Sequence, residues 1–397
     1  MNTPATTAIA NTASTALSAR IRDVQEAARG VTTLYPRSYI LQCIKEDRFP
    51  DELWQKLGEF GLLGLSVPEE YGGSGGGVLE ITALNEALAL AGVPTLFLVV
   101  TGLGRVPIMR HGTPEQIKKY VTPTCTGEKK LCFAITEPNA GTNSFAMTTL
   151  ATPDGDDWVL NGQKVFISGA RDADYMLVIA RTTKAAEVKH RTDGISLFVL
   201  DMKTPGIELT QLNIQVETAE RQYMVFFDNV KLPADALIGE AGKGAKLMFE
   251  GLNSERLLAA GAAIGLGDYA LAKAVDYSKD RKPFGKPIGS YQALQHRMAQ
   301  AKAQIEAARL MTYNAAERFD AGEDAGAHAN MAKLLGSQAA VAAVEAALQT
   351  HGGYGFDRDY DIITLWPMVR LLEIAPINNE MLLNYIGEHV LGLPKSY

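Results

Sequence analysis

The chain is 397 residues long, more than the roughly 250–300 residues that one hydrophobic core serves, so two or three domains are expected. Apolar residues make up 47% and charged residues 21%, as in ordinary globular proteins, which excludes a disordered chain. The formal net charge of −7 offers no attraction to a phosphate backbone, so nucleic acid is not expected as a partner.

The cysteines indicate a reducing compartment, because three scattered residues form neither a disulfide framework nor a zinc pattern. They are Cys43, Cys125 and Cys132. The longest apolar run, Pro94–Gly104, is shorter than the ~18 residues that span a bilayer, so no membrane span is expected.

The N-terminus begins MNTPATTAIANTASTAL and has neither the basic start nor the apolar stretch of a secretory signal. It lacks acidic residues before Asp23, as a transit peptide does, but its first arginine is Arg20. We therefore interpret this segment as a flexible tail.

The N-terminal part, residues 1–130, has a helical pattern after this tail. Examples are the segments Glu86–Pro94 and Pro114–Val121. The second has a proline in its first turn and Thr113 as its predicted N-cap. The glycines of Tyr71–Gly77 separate the helices.

The middle part, residues 131–240, consists of short runs rich in Val, Ile, Phe and Tyr between turn residues. Evenly spaced strands without intervening helices predict an antiparallel barrel or sandwich. The pair Asn161–Gly162 predicts a hairpin turn.

The C-terminal part, residues 241–397, is again helical and rich in alanine, which favours a helix bundle. The predicted fold is therefore an α+β multidomain protein, with a helical domain, a β domain and a four-helix bundle in chain order.

Most simple catalytic motifs are absent. The sequence contains no G-x-G-x-x-G and no phosphate-binding G-x-x-x-x-G-K-[ST], and its six histidines form no H-E-x-x-H. Residues Gly72–Gly76 match the G-x-S-x-G pattern around Ser74, but no predicted strand precedes them, so we interpret them as a surface loop.

Several longer motifs occur in a fixed order along the chain. They are PEEYGG from Pro68, AITEPNAGT from Ala134, WVLNGQKVFIS from Trp158, SERL from Ser254, RKPFG from Arg281 with Gln292 seven residues after its glycine, and QTHGGYG from Gln349. Each alone has an ordinary explanation as a turn, a helix end or a solvated side chain. Together they resemble the acyl-CoA dehydrogenase family of flavoproteins, from about Phe49 to Glu388.

The resemblance implies an FAD cofactor and assigns residues to it. Those along the flavin would be Phe133, Ile135, Thr136 and Thr142, with Phe166 and Ser168 at the opposite edge. Those at the pyrophosphate and adenine, partly contributed by a neighbouring subunit, would be Arg281, Phe284, Gln292, Gln349, Gly352 and Gly353. Asn378 and Glu380 would also contact FAD. Arginine suits a phosphate because its planar donors pair with it bidentately.

The implied reaction is the α,β-dehydrogenation of an acyl-CoA thioester to a 2,3-enoyl-CoA. A carboxylate removes the α proton, and a hydride leaves the β carbon for flavin N5. Most family members carry this base as Glu in an E-G-T run, but ungapped counting from Gly352 places Pro376 there. A minority, the isovaleryl- and long-chain-type members, place it before the arginine of an E-R-L run, which here is Glu255.

The pattern around Glu255 supports this choice. Apolar residues recur at helical steps on a stripe where Glu255 is the only carboxylate. They are Met248, Leu252, Ala259, Ala262 and Leu266. An apolar setting would raise the pKa of Glu255 into the range of a general base. Glu373 and Glu380 are the alternative bases, and a plain ion-pair role for Glu255 is the alternative interpretation. Asn253 and Arg256 are assigned to the substrate.

Pro376 also lacks the backbone N–H that in the family donates to the thioester oxygen. Either the segment is shifted so that the N–H of Ile377 serves, or the carbonyl is polarised differently. Small residues at Ala375 and along Ala259–Gly265 leave room near the reacting carbons, which favours a branched or bulky acyl group.

The resemblance further implies an electron-transfer flavoprotein as partner, a homotetramer, and a cytoplasmic location or, in a eukaryote, the mitochondrial matrix. Two other functions stay open. One is a flavin monooxygenase or oxidase on the same fold, and the other is a non-catalytic subunit that binds FAD or CoA.

Overall fold

The computed structural model describes residues 15–396, without the side chains of residues 15–18, 249 and 250. Most of the predicted N-terminal tail, residues 1–14, lies outside this range. The elements follow the predicted order of helices, strands and helices. They change type between Cys125 and Leu131 and again between Ile238 and Gly244, beside the predicted domain boundaries, which themselves stay a prediction.

The N-terminal part contains seven helices. They are α1 (Thr15–Leu34), α2 (Arg37–Lys45), α3 (Asp51–Glu59), α4 (Val78–Leu90), α5 (Leu96–His111), α6 (Pro114–Tyr120) and α7 (Thr122–Cys125). The predicted cap of α6 is confirmed, since the N–H of Gln116 donates to Thr113 Oγ1 and the N–H of Thr113 donates to Gln116 Oε1. Ser74 is exposed in the loop before α4 and follows no strand, as expected for a surface loop.

The middle part is one sheet of eight strands. They are β1 (Leu131–Ala134), β2 (Leu150–Asp154), β3 (Asp157–Ser168), β4 (Tyr175–Arg181), β5 (Ile195–Asp201), β6 (Ile207–Gln211), β7 (Gln222–Leu232) and β8 (Leu237–Ile238). Their order is β6-β7-β3-β2-β4-β5-β8, with β1 beside β4.

The sheet is mixed, whereas the sequence predicts an antiparallel one. β1 and β4 run parallel over four residue pairs, and β2 meets β4 in one parallel pair, Leu150 with Arg181. The other pairings are antiparallel. Two other strands separate β1 from β4 along the chain, so no hairpin fixes their relative direction.

The predicted hairpin at Asn161–Gly162 is wrong. β3 continues through these residues with a register shift against β7, and Gly162 lies directly against Thr149. The turn lies earlier, between β2 and β3, where Gly155 has a φ of 66°. A glycine inside a strand often marks a bulge or a close backbone approach, and both apply at Gly162.

The C-terminal part consists of helices α8 (Gly244–Glu250), α9 (Leu252–Asp280), α10 (Gln292–Asp320), α11 (Gly326–His351), α12 (Trp366–Ile374) and α13 (Asn379–Tyr385). The long helices α9, α10 and α11 share a core with α12. By length and composition, Gly244–Asp280 and Gly326–Phe356 could each cross a bilayer, but 72% and 56% of their apolar windows are buried inside the protein, as in the central helices of a bundle.

Small residues bring α9 into backbone contact with α4. A Cβ atom at Gly261 would lie 2.8 Å from the Thr82 carbonyl oxygen, and one at Gly265 would lie 2.3 Å from the Glu86 carbonyl oxygen. The space beside these two glycines is therefore filled by α4. These two glycines therefore give no room to an acyl group, whereas the alanines of Ala259–Gly265 stay part of the prediction.

Candidate active site

The first turn of α9 carries a buried carboxylate. The side chain of Glu255 is buried, and so are its apolar neighbours Leu257, Leu258 and Ala259. Burial raises the pKa of Glu255 to about 8, against the opposing positive charges of Arg256 and Lys333. No side-chain hydrogen bond within the described chain holds the ionised form of this carboxylate. Such a group can take up a proton near neutral pH.

A buried lysine connects this region to the segment that contains Pro376. Lys333 Nζ donates to the Ile377 carbonyl oxygen at 2.6 Å and to Asn379 Oδ1 at 2.9 Å. Its charge interacts with Glu255 on α9 and with Glu373 and Glu380 on either side of the segment. Lys333 therefore interacts electrostatically both with Glu255 of the E-R-L run and with the glutamates that flank Pro376.

Arg256 has a donor without a partner. Its Nη1 donates to Asn253 Oδ1 at 2.5 Å, whereas its Nε is buried and has no hydrogen-bond partner in the described chain. An unpaired buried donor is costly, and a bound ligand can satisfy it. This arrangement is compatible with the predicted substrate contacts of Asn253 and Arg256, which stay predictions.

A buried ion pair fixes the loop after β1. Lys164 Nζ donates to Glu137 Oε1 and to the Ile135 carbonyl oxygen, both at 2.9 Å. The N–H of Val165 donates to the Thr136 carbonyl oxygen at 2.9 Å. The predicted flavin residues Ile135 and Thr136 are therefore held beside β3, and like Phe133 they are partly buried.

Phe166 and Ser168 lie near the end of β3, where the register against β7 shifts again. Phe166 has a φ of 59°, which non-glycine residues seldom adopt, and its ring is 59% exposed. Strained backbone of this kind is concentrated at ligand sites. The Ser168 hydroxyl is hydrogen-bonded to the side-chain amide of Gln222.

One contact joins this loop region to the C-terminal segment. Asn378 Nδ2 donates to Thr142 Oγ1 at 3.1 Å, and the Asn378 side chain also caps α13. Thr142 and Asn378, both predicted to contact FAD, therefore lie together. Glu380 is exposed in the first turn of α13.

A second group of predicted cofactor residues lies where α9 and α11 end. Arg281, Gln349, Gly352 and Gly353 line one cleft of about 590 Å³. Gly352 has a φ of 60°, and nothing lies within 4 Å of where the Cβ atoms of Gly352 and Gly353 would be. Phe284 and Gln292 do not line this cleft, and the Phe284 ring is 82% exposed.

The residues present fit FAD. The first group offers partly buried side chains, a hydroxyl and an exposed aromatic ring, which suit a flavin ring system. The second offers a guanidinium and open backbone beside two glycines, which suit a pyrophosphate. Among the described residues, no group of three or more His, Cys, Asp or Glu side chains is arranged to hold a metal ion.

Sequence reasoning missed three ionisable residues of the site, namely Glu137, Lys164 and Lys333. For Lys333 a signal existed, because it is the only charged residue between His328 and Glu345 in an alanine-rich helix. A lone charge on such a helix needs a buried partner. Glu137 and Lys164 lie inside the AITEPNAGT and WVLNGQKVFIS motifs, but nothing in either motif indicates that they pair.

Comparison with known proteins assigns the chain to a family. It matches the acyl-CoA dehydrogenase N-terminal domain over residues 18–128, the middle domain over residues 132–230 and the C-terminal domain over residues 242–391. The chain belongs to the acyl-CoA dehydrogenase family, whose members are FAD-dependent oxidoreductases.

Individual relatives cover nearly the whole chain. Acyl-CoA dehydrogenase FadE12 of Mycobacterium tuberculosis is 42% identical over 91% of this chain and 94% of its own. The caffeyl-CoA reductase-Etf complex subunit CarC of Acetobacterium woodii is 35% identical over 84% of this chain and 88% of its own. The structure of butyryl-CoA dehydrogenase from Megasphaera elsdenii superposes with a TM-score of 0.88 at 32% identity, covering 94% of this chain and 98% of that one.

Proposed function

We propose that this chain oxidises an acyl-CoA thioester to the 2,3-enoyl-CoA with Glu255 as the base that removes the α proton. The observation that carries this assignment is the buried, unpaired Glu255 carboxylate, with its pKa near 8, beside the segment in which Pro376 replaces the usual base. When bound, FAD accepts the hydride from the β carbon.

The alternative bases fit less well. Glu373 forms an ion pair with Arg370 at 2.7 Å, so its carboxylate already has a partner. Glu380 is exposed in the first turn of α13. Neither is a buried, unpaired carboxylate like Glu255.

In this proposal, the backbone N–H of Ile377 polarises the thioester carbonyl. Pro376 has no N–H, and none of the backbone hydrogen bonds of the described chain uses the N–H of Ile377. The carbonyl of the same residue is held by Lys333, which fixes the orientation of Ile377. An oriented backbone donor of this kind typically contributes 10²–10³-fold to rate.

A homotetramer is proposed from the family resemblance. In it, one subunit would contact the FAD held by the middle domain of another through Arg281, Phe284, Gln292, Gln349, Gly352 and Gly353. An electron-transfer flavoprotein is the proposed acceptor, as the name of the CarC relative indicates for that protein. A branched or bulky acyl group stays a proposal, supported by Ala375 and the alanines of Ala259–Gly265.

The test is anaerobic mixing of the FAD-loaded protein with butyryl-, isovaleryl- and octanoyl-CoA while flavin absorbance is followed. Wild type is expected to bleach with at least one of them. Glu255→Gln is expected to slow bleaching by roughly 10³-fold or more while retaining FAD, because no other base is in place. Glu373→Gln serves as the matched control with a near-normal rate. Glu380→Gln tests the other alternative base, with its FAD content measured because Glu380 is a predicted FAD contact.

The outcome that contradicts the assignment is fast bleaching in Glu255→Gln combined with loss of bleaching in one of the other two variants. No bleaching of wild type with any of the three thioesters would contradict the dehydrogenase activity on these substrates. The three variants replace a carboxylate by the same amide, so they differ only in position.

A further inference from the structure

Lys333 is one of the most completely buried charged side chains of the protein, with a relative exposure of 1%. It extends from α11 towards the chain between α12 and α13, where both of its acceptors lie. These are the Ile377 carbonyl oxygen and Asn379 Oδ1, and the latter also accepts from the Ser337 hydroxyl at 3.2 Å. Neither acceptor is a carboxylate, so the ammonium charge has no direct ion-pair partner here.

The charges that interact with Lys333 come from three helices. α9 contributes Glu255 and Arg256, α12 contributes Glu373, and α13 contributes Glu380. Among the described residues, Arg256 and then Lys333 are the charges that lower the pKa of Glu255. Arg256 is on the same helix as Glu255, whereas Lys333 is on a second helix.

We propose that Lys333 is a positioning residue for the dehydrogenation, which holds Ile377 and Asn379 in place and adds to the positive charge of Arg256 near buried Glu255. This role rests on the proposed function of Glu255. It goes beyond that function because it assigns one residue of α11 to both halves of the reaction, the base on α9 and the carbonyl-polarising segment.

Burial alone would keep Glu255 protonated and inert, since an isolated carboxylate is strongly disfavoured in an apolar setting. The Arg256 guanidinium and the Lys333 ammonium offset part of this cost and lower the pKa of Glu255 from what burial alone would give. Burial also lowers the pKa of Lys333 to about 8, so the charge of Lys333 is most complete below that pH.

The test uses Lys333→Met, which removes both the charge and the donors at similar length, and Lys333→Gln, a milder change that removes the charge but keeps an amide donor. Asn379→Ala removes one acceptor and leaves the charge. Lys118→Met, at an exposed position on α6, controls for the loss of a lysine elsewhere. All are compared as FAD-loaded full-length protein.

Two readouts separate the two parts of the role. In Lys333→Met and Lys333→Gln, the acid limb of the pH profile for anaerobic flavin bleaching is expected to move up by roughly one pH unit, or about tenfold in rate at pH 7. In Lys333→Met and Asn379→Ala, amide hydrogen exchange in residues 377–382, measured by mass spectrometry, is expected to rise at least about fivefold.

A third measurement, infrared spectroscopy, follows Glu255 without catalytic turnover. Infrared difference spectra between each protein and its Glu255→Gln counterpart isolate the Glu255 carboxylic acid band, whose pH titration is expected to shift upwards in both Lys333 variants. Unchanged titration and unchanged exchange in Lys333→Met would overturn the role of Lys333 even if Glu255→Gln is inactive. An active Glu255→Gln would instead overturn the proposed function.

Discussion

Two buried lysines of this protein occupy similar settings and have different partners. Lys164 in β3 contacts the Glu137 carboxylate directly at 2.9 Å, whereas Lys333 in α11 contacts a carbonyl and an amide and leaves Glu255 unpaired. Burial lowers the pKa of both lysines to about 8. The difference therefore lies in the carboxylates.

The pKa values of Glu137 and Glu255 are shifted in opposite directions. Burial opposes ionisation of Glu137, but the charge of Lys164 and hydrogen bonds from Thr148 and Thr149 hold its pKa below the ordinary value. Burial dominates at Glu255 and raises its pKa to about 8. A satisfied pair fixes a loop, whereas an unsatisfied carboxylate is available for proton transfer.

The largest expected effect follows from breaking the satisfied pair. Lys164→Met leaves the Glu137 charge buried without its cation, so the free energy of unfolding is expected to fall by about 3–5 kcal/mol. Urea unfolding at pH 7 measures it. Lys129→Met, which removes the more exposed pair with Asp174, is the control and is expected to change little.

The double variant Glu137→Gln/Lys164→Met sharpens this prediction. It retains no buried charge at this position, so it is expected to be more stable than Lys164→Met alone. Equal stability of Lys164→Met and wild type would show that the pair does not hold the loop.

The second-largest expected effect is a pH dependence of the free energy of unfolding, whose sign differs between Glu255 and Glu137. Between pH 4.5 and about 8 the folded chain keeps the Glu255 proton while the unfolded chain loses it, so the contribution of Glu255 to stability falls as pH rises. Glu255→Gln is therefore expected to gain stability over wild type by up to ~1.4 kcal/mol per pH unit across this range.

For Glu137 the sign is reversed. The pKa of Glu137 is lowered, so its stabilising contribution is present above its ordinary pKa and is lost as the pH falls through the lowered one. Glu137→Gln is expected to be less stable than wild type at neutral pH, with the difference shrinking in acid. Thermal midpoints of both variants from about pH 3 to pH 8 measure this, and parallel pH curves would refute the contrast.

The smallest effect concerns cofactor affinity. Lys164 holds the Ile135 carbonyl next to Thr136, so Lys164→Met is expected to weaken FAD binding about tenfold, or ~1.4 kcal/mol. Lys333 hydrogen-bonds to Ile377 and Asn379 and not to this loop, so Lys333→Met is expected to weaken FAD binding less than Lys164→Met does. Titration of apoprotein with FAD, followed by flavin fluorescence, measures both, and equal losses would contradict the division of roles.

Much of the fold follows from sequence pattern. The capped helix α6 and the order of helical, strand and helical parts agree with what periodicity and turn residues predict. Asn161–Gly162 shows the limit, because the glycine is needed for a close approach to Thr149, a long-range contact that no local pattern contains.

The candidate site, like the fold, could be predicted from the sequence only in part. Motif order gives the family and hence FAD, and the apolar stripe gives the burial of Glu255. The contacts of Lys333 with Ile377 and Asn379 could not be predicted, because they depend on how three separate helices meet. The same is true of the cleft around Arg281 and Gln349, whose two sides come from the ends of two helices.

The glycines of α9 have a consequence for the architecture as a whole. Gly261 and Gly265 let the backbone of α9 rest on α4, so the helix that carries Glu255 is anchored by a helix of the N-terminal part. The N-terminal part therefore supports the helix that carries the proposed base. A chain trimmed to its last two thirds would lose the packing of α4 against α9, even with Glu255 still present.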